Sequence, residues 1–148
     1  MKICPYCYDH CEIHSDGSVY PCCPTWCKNY SFGNLLQQSF EEIYTGEKAV
    51  AFRKAHREGK ADDVCQRYLC LVSFKDEEDI ENYSRSSNGN ILPQRIKMCW
   101  DWSCNVACIT CRDQICTSGP EDYKRMQTIS DRLEPVLPYV REFSISGS

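Results

Sequence analysis

The chain has 148 residues, 13 of them cysteine, and a formal net charge of −4. This length suits one ordinary domain or two very small ones. Lysine and arginine are dispersed rather than gathered in a stripe, and no apolar run approaches the length of about 18 residues that marks a membrane helix, so we expect neither a nucleic-acid nor a membrane partner.

The high cysteine content predicts either disulfides or metal sites, and the cellular compartment decides between them. The first residues, Met1 to Cys4, contain no apolar signal-peptide core. We therefore expect a cytoplasmic protein, in which thiols stay reduced and clustered cysteines bind metal.

The N-terminal third predicts a β-hairpin followed by short helices. Asp16-Gly17 is a strong turn signal between Cys11-Ile13 and Val19-Tyr20. Ser39 and Glu42 fit a capping box that opens a helix reaching Tyr44. A second helix is predicted from Glu47 to Glu58. Four of its residues are expected to face a core: Val50, Ala51, Phe52 and Ala55. His56 on the same helix is expected to be exposed.

A polar middle segment separates two cysteine-rich blocks. Charged residues from Lys75 to Asp79 are followed by Ser, Asn and Gly up to Asn90, which is typical of a linker. We therefore predict a first unit at 1–74, a linker at 75–92 and a second unit at 93–148.

The second block predicts a strand, a loop, a helix and a strand. The strands are expected at Arg95–Trp100 and Val140–Ser146. Pro120 marks the start of the helix, which runs to Leu133 with apolar residues at helical spacing: Tyr123, Met126, Ile129 and Leu133. Such a βαβ unit normally belongs to a parallel sheet.

Cys104, Cys108 and Cys111 lie in the loop after the first strand of this unit, with the spacing CxxxCxxC. This motif, including Asn105 directly after the first cysteine, resembles the cluster motif of the radical SAM enzymes, although Thr110 stands where many members have an aromatic residue. The alternative is a zinc knuckle that takes Cys99 or Cys116 as its fourth ligand.

The radical SAM resemblance implies a [4Fe–4S] cluster held by these three thiolates, with one iron open to S-adenosylmethionine. It further implies reductive cleavage of that cofactor to a 5′-deoxyadenosyl radical, with electrons from a reductant such as flavodoxin or ferredoxin. The strand end at Gly147 resembles the glycine segment that approaches the methionyl amino group of the cofactor.

The first block resembles a SPASM-type auxiliary cluster domain. The resemblance rests on Cys4, on the Gly-x4-Cys pattern from Gly17 to Cys22, and on further anchors downstream: Gly33-Asn34, Ser39 to Tyr44, Arg53, Cys65 and Cys70. Tyr44 stands where the family has Trp. The resemblance implies a second iron–sulfur cluster, whose four ligands are Cys4, Cys22, Cys65 and Cys70.

Several cysteine and histidine roles stay open at this point. Cys7 and Cys23 are rival ligands, and a four-cysteine zinc site is the alternative for the block. Cys11 is expected to be a small buried hydrophobic residue. His10 and His14 are expected to face solvent, and no role is assigned to three cysteines: Cys27, Cys99 and Cys116.

Together these features predict an α+β chain, in which a small cysteine-rich domain precedes the first βαβ unit of a partial TIM-like α/β barrel. We expect a fragment of a radical SAM protein that is inactive alone, since such a barrel needs about 200 residues. The full-length enzyme would modify peptides, proteins or small molecules. The alternative is a zinc-binding or electron-transfer module without catalysis.

Overall fold

The computed structural model describes residues 2–81, 89, 91–101 and 115–147. Its strands are β1 (Lys2–Ile3), β2 (His10–His14), β3 (Ser18–Tyr20), β4 (Gly33–Asn34), β5 (Lys75–Asp76), β6 (Arg95–Asp101) and β7 (Glu142–Gly147). Its α-helices are α1 (Tyr6–Asp9), α2 (Phe40–Thr45), α3 (Glu47–Arg57), α4 (Ala61–Val64), α5 (Glu77–Glu81) and α6 (Pro120–Leu133). The described part of the chain is thus a small, cysteine-rich α+β structure.

A mixed five-stranded sheet organises the fold, with the strand order β4-β3-β2-β6-β7. The predicted hairpin is confirmed, because β2 and β3 pair antiparallel with Ile13 opposite Val19. Gly17 takes a φ of +86° in the turn, and a Cβ there would lie 2.6 Å from Asn34 Oδ1. Glycine is therefore required by both conformation and space.

The predicted βαβ unit is also confirmed. Strands β6 and β7 run parallel, with Ile96 opposite Phe143, and α6 connects them. Strand β7 begins two residues later than expected because Leu137–Tyr139 forms a 3-10 turn first. Three of the four apolar positions predicted on α6 are buried, whereas Tyr123 is 63% exposed.

The two cysteine-rich blocks share one sheet. Strand β6 pairs in parallel with β2, with Ile13 opposite Met98 and His14 opposite Cys99. The βαβ unit therefore extends the sheet of the hairpin. Within the described ranges this sheet is open and no barrel is formed.

The segment after residue 74 begins with regular structure. Strand β5 pairs antiparallel with β1, and α5 buries Ile80 completely. The division into units at 1–74, 75–92 and 93–148 stays a prediction. In the described ranges, no helix is both long enough and apolar enough to cross a membrane.

Helices α2 and α3 form where they were predicted, but the buried face of α3 differs. The capping box is present, since Ser39 Oγ accepts from Glu42 N and Glu42 Oε2 accepts from Ser39 N. Val50 is 54% exposed and Ala51 is also exposed, so their placement in the core is wrong. The buried residues on α3 are Ala49, Phe52, Arg53 and His56.

Candidate metal centre

Four cysteines that are distant in sequence line one cavity. They are the predicted auxiliary ligands Cys4, Cys22, Cys65 and Cys70. Cys4 follows β1, Cys22 follows β3, Cys65 ends α4 and Cys70 ends the 3-10 turn at Arg67–Leu69. The backbone N–H of Gln66 donates to the carbonyl of Trp26 at 2.7 Å, which ties the Cys65 segment to the loop that follows Cys22.

Two further thiols lie behind this cavity and are fully buried. Cys7 shares a hydrogen bond with Cys4, and Cys27 shares one with Cys22. The hydrogen bond from Cys7 lowers the pKa of Cys4, whereas burial raises the pKa of Cys7. Sequence reasoning assigned Cys27 no role, although its position five residues after Cys22 in a short loop brings the two sulfurs together.

The thiols of Cys22 and Cys65 stay neutral unless a cation is present, because the pKa of each is raised. Burial, followed by the nearby Cys4, Cys27 and Cys70, raises the pKa of Cys65 to about 12. Because metal ligation needs thiolates, a bound metal would reverse this balance and release protons. The chemistry of the donor set therefore fits a metal or iron–sulfur group better than an empty cavity. Ten cysteines are described, and no disulfide joins any of them.

The rest of the wall is largely apolar and includes one histidine. Trp26, Phe52 and Phe74 line the cavity, and Cys65 Sγ lies 3.5 Å from His56 Nε2. His56 is only 4% exposed, so the expectation that it faces solvent is wrong. Burial, followed by the charge of Arg67, lowers the pKa of His56 to about 4, so this ring is neutral at pH 7.

A buried arginine lies between the cavity and the core. The Nε atom of Arg53 donates to the Cys7 carbonyl and its Nη1 atom donates to the Tyr44 carbonyl, both at 2.8 Å. Its guanidinium carbon lies 4.6 Å from the ring centre of Tyr44. Its Nη2 atom has no hydrogen-bond partner among the described residues. This positive charge partly opposes the rise in the pKa of Cys7 that burial causes.

Sequence periodicity could have located the two charged or titratable residues on α3. Ala49, Phe52, Arg53 and His56 follow the spacing i, i+3, i+4, i+7, which marks one helical face. Counting only apolar residues hid this face, because two of its four members are polar.

The remaining predictions for this block have mixed outcomes. Cys11 is completely buried, as expected for a small hydrophobic residue. His10 and His14 are half-buried rather than solvent-facing: His10 stacks on Tyr6, and His14 Nε2 donates to Glu12 Oε1. Neither Cys7 nor Cys23 is among the residues that line the cavity, and the choice of ligands stays a prediction.

Residues 4–71 match the family model for SPASM, an iron–sulfur cluster-binding domain. This region is a SPASM domain. The match spans all four cysteines of the cavity, from Cys4 to Cys70. A radical SAM barrel was not detected. Neither the curated proteins nor the solved structures contain a significant match to this chain.

The second predicted cluster site lies outside the described residues. Its three cysteines are Cys104, Cys108 and Cys111, which come after β6 in the sequence. Gly147 is the last residue of β7 and pairs with Asp101. The strand that leads into the cysteine triplet therefore ends beside this glycine.

Proposed function

We propose that this chain is an iron–sulfur protein of the radical SAM superfamily, whose SPASM domain holds an auxiliary [4Fe–4S] cluster. The supporting observation is the cavity in which Cys4, Cys22, Cys65 and Cys70 meet. Four cysteine thiolates are the usual ligand set of such a cluster. The match to the SPASM domain favours iron and sulfide over zinc for the same four thiols.

The surroundings of the four cysteines suit a cluster that carries electrons. When bound, such a cluster supplies one-electron chemistry at a potential that charge, hydrogen bonds and solvent exposure set. Trp26, Phe52 and Phe74 line the cavity and would keep water away from the sulfurs, and Arg67 on the same wall would supply a positive charge. These residues would hold the group in a dry, polarised environment.

The radical SAM assignment extends this proposal to the second block. Cys104, Cys108 and Cys111 would bind a second cluster that leaves one iron for S-adenosylmethionine, and Gly147 would approach that cofactor. The parallel β6-α6-β7 unit supports the assignment, because in the sequence the cysteine triplet comes directly after the carboxyl end of β6. A flavodoxin or ferredoxin would supply electrons, and the substrate would be a peptide, protein or small molecule.

The first test is the iron, sulfide and zinc content of protein purified without oxygen. Two cubane clusters predict about eight irons for the unchanged chain. The C22S variant should keep about four of them, and so should a variant with serine at 104, 108 and 111. The matched control is C116S, which alters a cysteine outside the cavity and should retain full iron content.

Electron-spin spectroscopy separates the enzyme from an electron carrier. S-adenosylmethionine should change the spectrum of the reduced protein, and the change should survive in C22S but vanish in the triple serine variant. Colourless protein with bound zinc would contradict the iron–sulfur proposal. If S-adenosylmethionine does not change the spectrum of the reduced clusters, the protein is an electron-transfer module instead.

A further inference from the structure

A second group of metal-ligating side chains lies on the sheet, formed by Glu12, His14 and Cys99. Glu12 and His14 are two residues apart on β2, so their side chains point to the same face of the sheet. Cys99 on β6 lies opposite His14 in the register of the two strands. The opposite face of β2 carries the core residues Cys11 and Ile13. The three donors thus share one face near the carboxyl ends of the parallel strands.

The three ligand atoms lie within 4.8 Å of one another. Glu12 Oε1 is 2.9 Å from His14 Nε2 and 3.6 Å from Cys99 Sγ. Tetrahedral zinc with normal bond lengths separates oxygen from sulfur by about 3.6 Å and oxygen from nitrogen by about 3.4 Å. A small widening between Glu12 and His14 would bring both distances from Glu12 to these values. The third distance, from His14 to Cys99, is at most 4.8 Å and has to be about 3.6 Å around the ion.

We propose that Glu12, His14 and Cys99 form a Zn²⁺ site that is distinct from the cluster cavity. Carboxylate oxygen, imidazole nitrogen and thiolate sulfur are all zinc ligands, and three protein ligands leave a fourth position for water or a substrate group. The carboxylate and the thiolate together neutralise the ion. On binding, the proton of His14 Nε2 gives way to the metal while Nδ1 carries the ring proton, and the Cys99 thiol proton passes to solvent.

Neighbouring side chains already orient the proposed ligands. Lys97 Nζ lies 3.3 Å from Glu12 Oε2, which leaves Oε1 directed towards His14 and Cys99. Ser146 Oγ donates to Cys99 Sγ at 3.4 Å, and the His14 ring packs edge-on against Tyr20. Supporting contacts of this kind fix ligand geometry in metal sites. Glu12 is only 4% exposed, so its negative charge gains strongly from a bound cation.

The test measures zinc binding to the full chain after the cysteines of the two proposed cluster sites have been loaded with iron and sulfide. Equilibrium dialysis against Zn²⁺ would compare the unchanged protein with H14Q, C99S and H10Q. We expect the affinity of this site for zinc to be at least about 10-fold lower in H14Q and in C99S. At a free Zn²⁺ concentration that fills the site in the unchanged protein, each of these variants should therefore bind one zinc fewer. The H10Q control alters the same strand and face outside the trio and should bind zinc as the unchanged chain does.

Zinc-edge X-ray absorption gives an independent measurement that iron does not obscure. The proposed site predicts one sulfur at about 2.3 Å, with nitrogen and oxygen at about 2.0–2.2 Å. Equal zinc binding by H14Q and H10Q, or a shell made only of sulfur, would overturn the proposal. Circular dichroism checks that each variant is folded. The comparison between variants concerns zinc alone. The difference in zinc binding between H14Q and H10Q can therefore be interpreted even if the clusters fail to load.

Discussion

The hydroxyl group of Tyr44 ties α2 to the backbone around the start of β2. It is buried and donates to the carbonyls of Tyr8 at 3.0 Å and His10 at 3.1 Å. Replacing Tyr44 by Phe would keep the ring but leave these carbonyls without that donor. We expect the free energy of unfolding to fall by about 1–2 kcal/mol, measured by urea denaturation.

Tyr68 supplies the matched control for this prediction. Its hydroxyl donates to Gln66 Oε1 at 3.1 Å, but the residue is 84% exposed. Water can replace that bond, so Y68F should change stability by less than about 0.5 kcal/mol. Equal effects of the two substitutions would show that the buried hydroxyl of Tyr44 contributes nothing specific.

His10 should make the folded state sensitive to acid. Burial, assisted by the charge of Arg95, lowers the pKa of His10 below 6.5, although the Pro21 carbonyl, Asp9 and Glu12 oppose the shift. The unfolded chain therefore takes up this proton more readily than the folded chain does. Its contribution to stability is fully present above about pH 6.5 and is lost as the pH falls below that value through the lower pKa of the folded protein.

The H10Q variant isolates this term. Between about pH 7.5 and 5.5, the unchanged protein should lose more unfolding free energy than H10Q does. Urea denaturation at the two pH values measures the difference, in which the contributions of the carboxylates cancel. Parallel losses in both proteins would contradict a lowered pKa of His10.

Sequence reasoning placed cysteines better than it placed the residues around them. The family resemblance implies one ligand set, Cys4, Cys22, Cys65 and Cys70, and all four line the cavity. Arg53 was identified only as an anchor of the family resemblance, and the burial of Arg53 and His56 was not predicted, because polar residues are expected at the surface. Here Arg53 is buried with two backbone acceptors. Such burial depends on partners that are distant in sequence.

Helix α2 shows that a local sequence signal can specify an element. Its capping box satisfies the N–H groups of Ser39 and Glu42, which would otherwise be unpaired at the helix start. The S39A variant should lose about 1 kcal/mol of unfolding free energy. Denaturation midpoints followed by circular dichroism would measure this loss.

Asparagine at position 39 is the conservative comparison, since its side chain also caps helices well. The S39N variant should recover most of the stability that S39A loses. If both substitutions destabilise equally, the side-chain cap is not the source of the effect. The hairpin and the capped helix were predictable because each depends on residues close together in the chain. The strands of the βαβ unit pair residues as far apart as Arg95 and Glu142, but two strands joined by a helix ordinarily pair in parallel.

The order of strands in the sheet could not be predicted in the same way. The parallel pairing of β2 with β6 joins strands that are separated by more than 80 residues, and no turn motif specifies it. Both strands carry apolar residues on one face, but so do many pairs that do not meet. Nothing local in the sequence therefore indicates that one sheet contains strands from both cysteine-rich blocks.

An ion pair across this junction tests whether the two blocks fold together. Arg95 Nη2 donates to both carboxylate oxygens of Asp9, at 3.0 and 2.9 Å, and Asp9 is only 6% exposed. A double-mutant cycle with D9N and R95M should give a coupling energy of about 1–2 kcal/mol, reduced from a fully buried pair because the Arg95 side chain is 33% exposed.

The exposed pair of Glu121 and Lys124 on α6 is the reference for this cycle. Their side chains are 81% and 73% exposed, and the coupling expected there is below about 0.5 kcal/mol. If the blocks share one cooperative sheet, the unchanged protein and all three variants of the Asp9–Arg95 cycle should also unfold in a single transition. Separate transitions, or a coupling as small as in the reference pair, would mean that the two blocks are stable independently of one another.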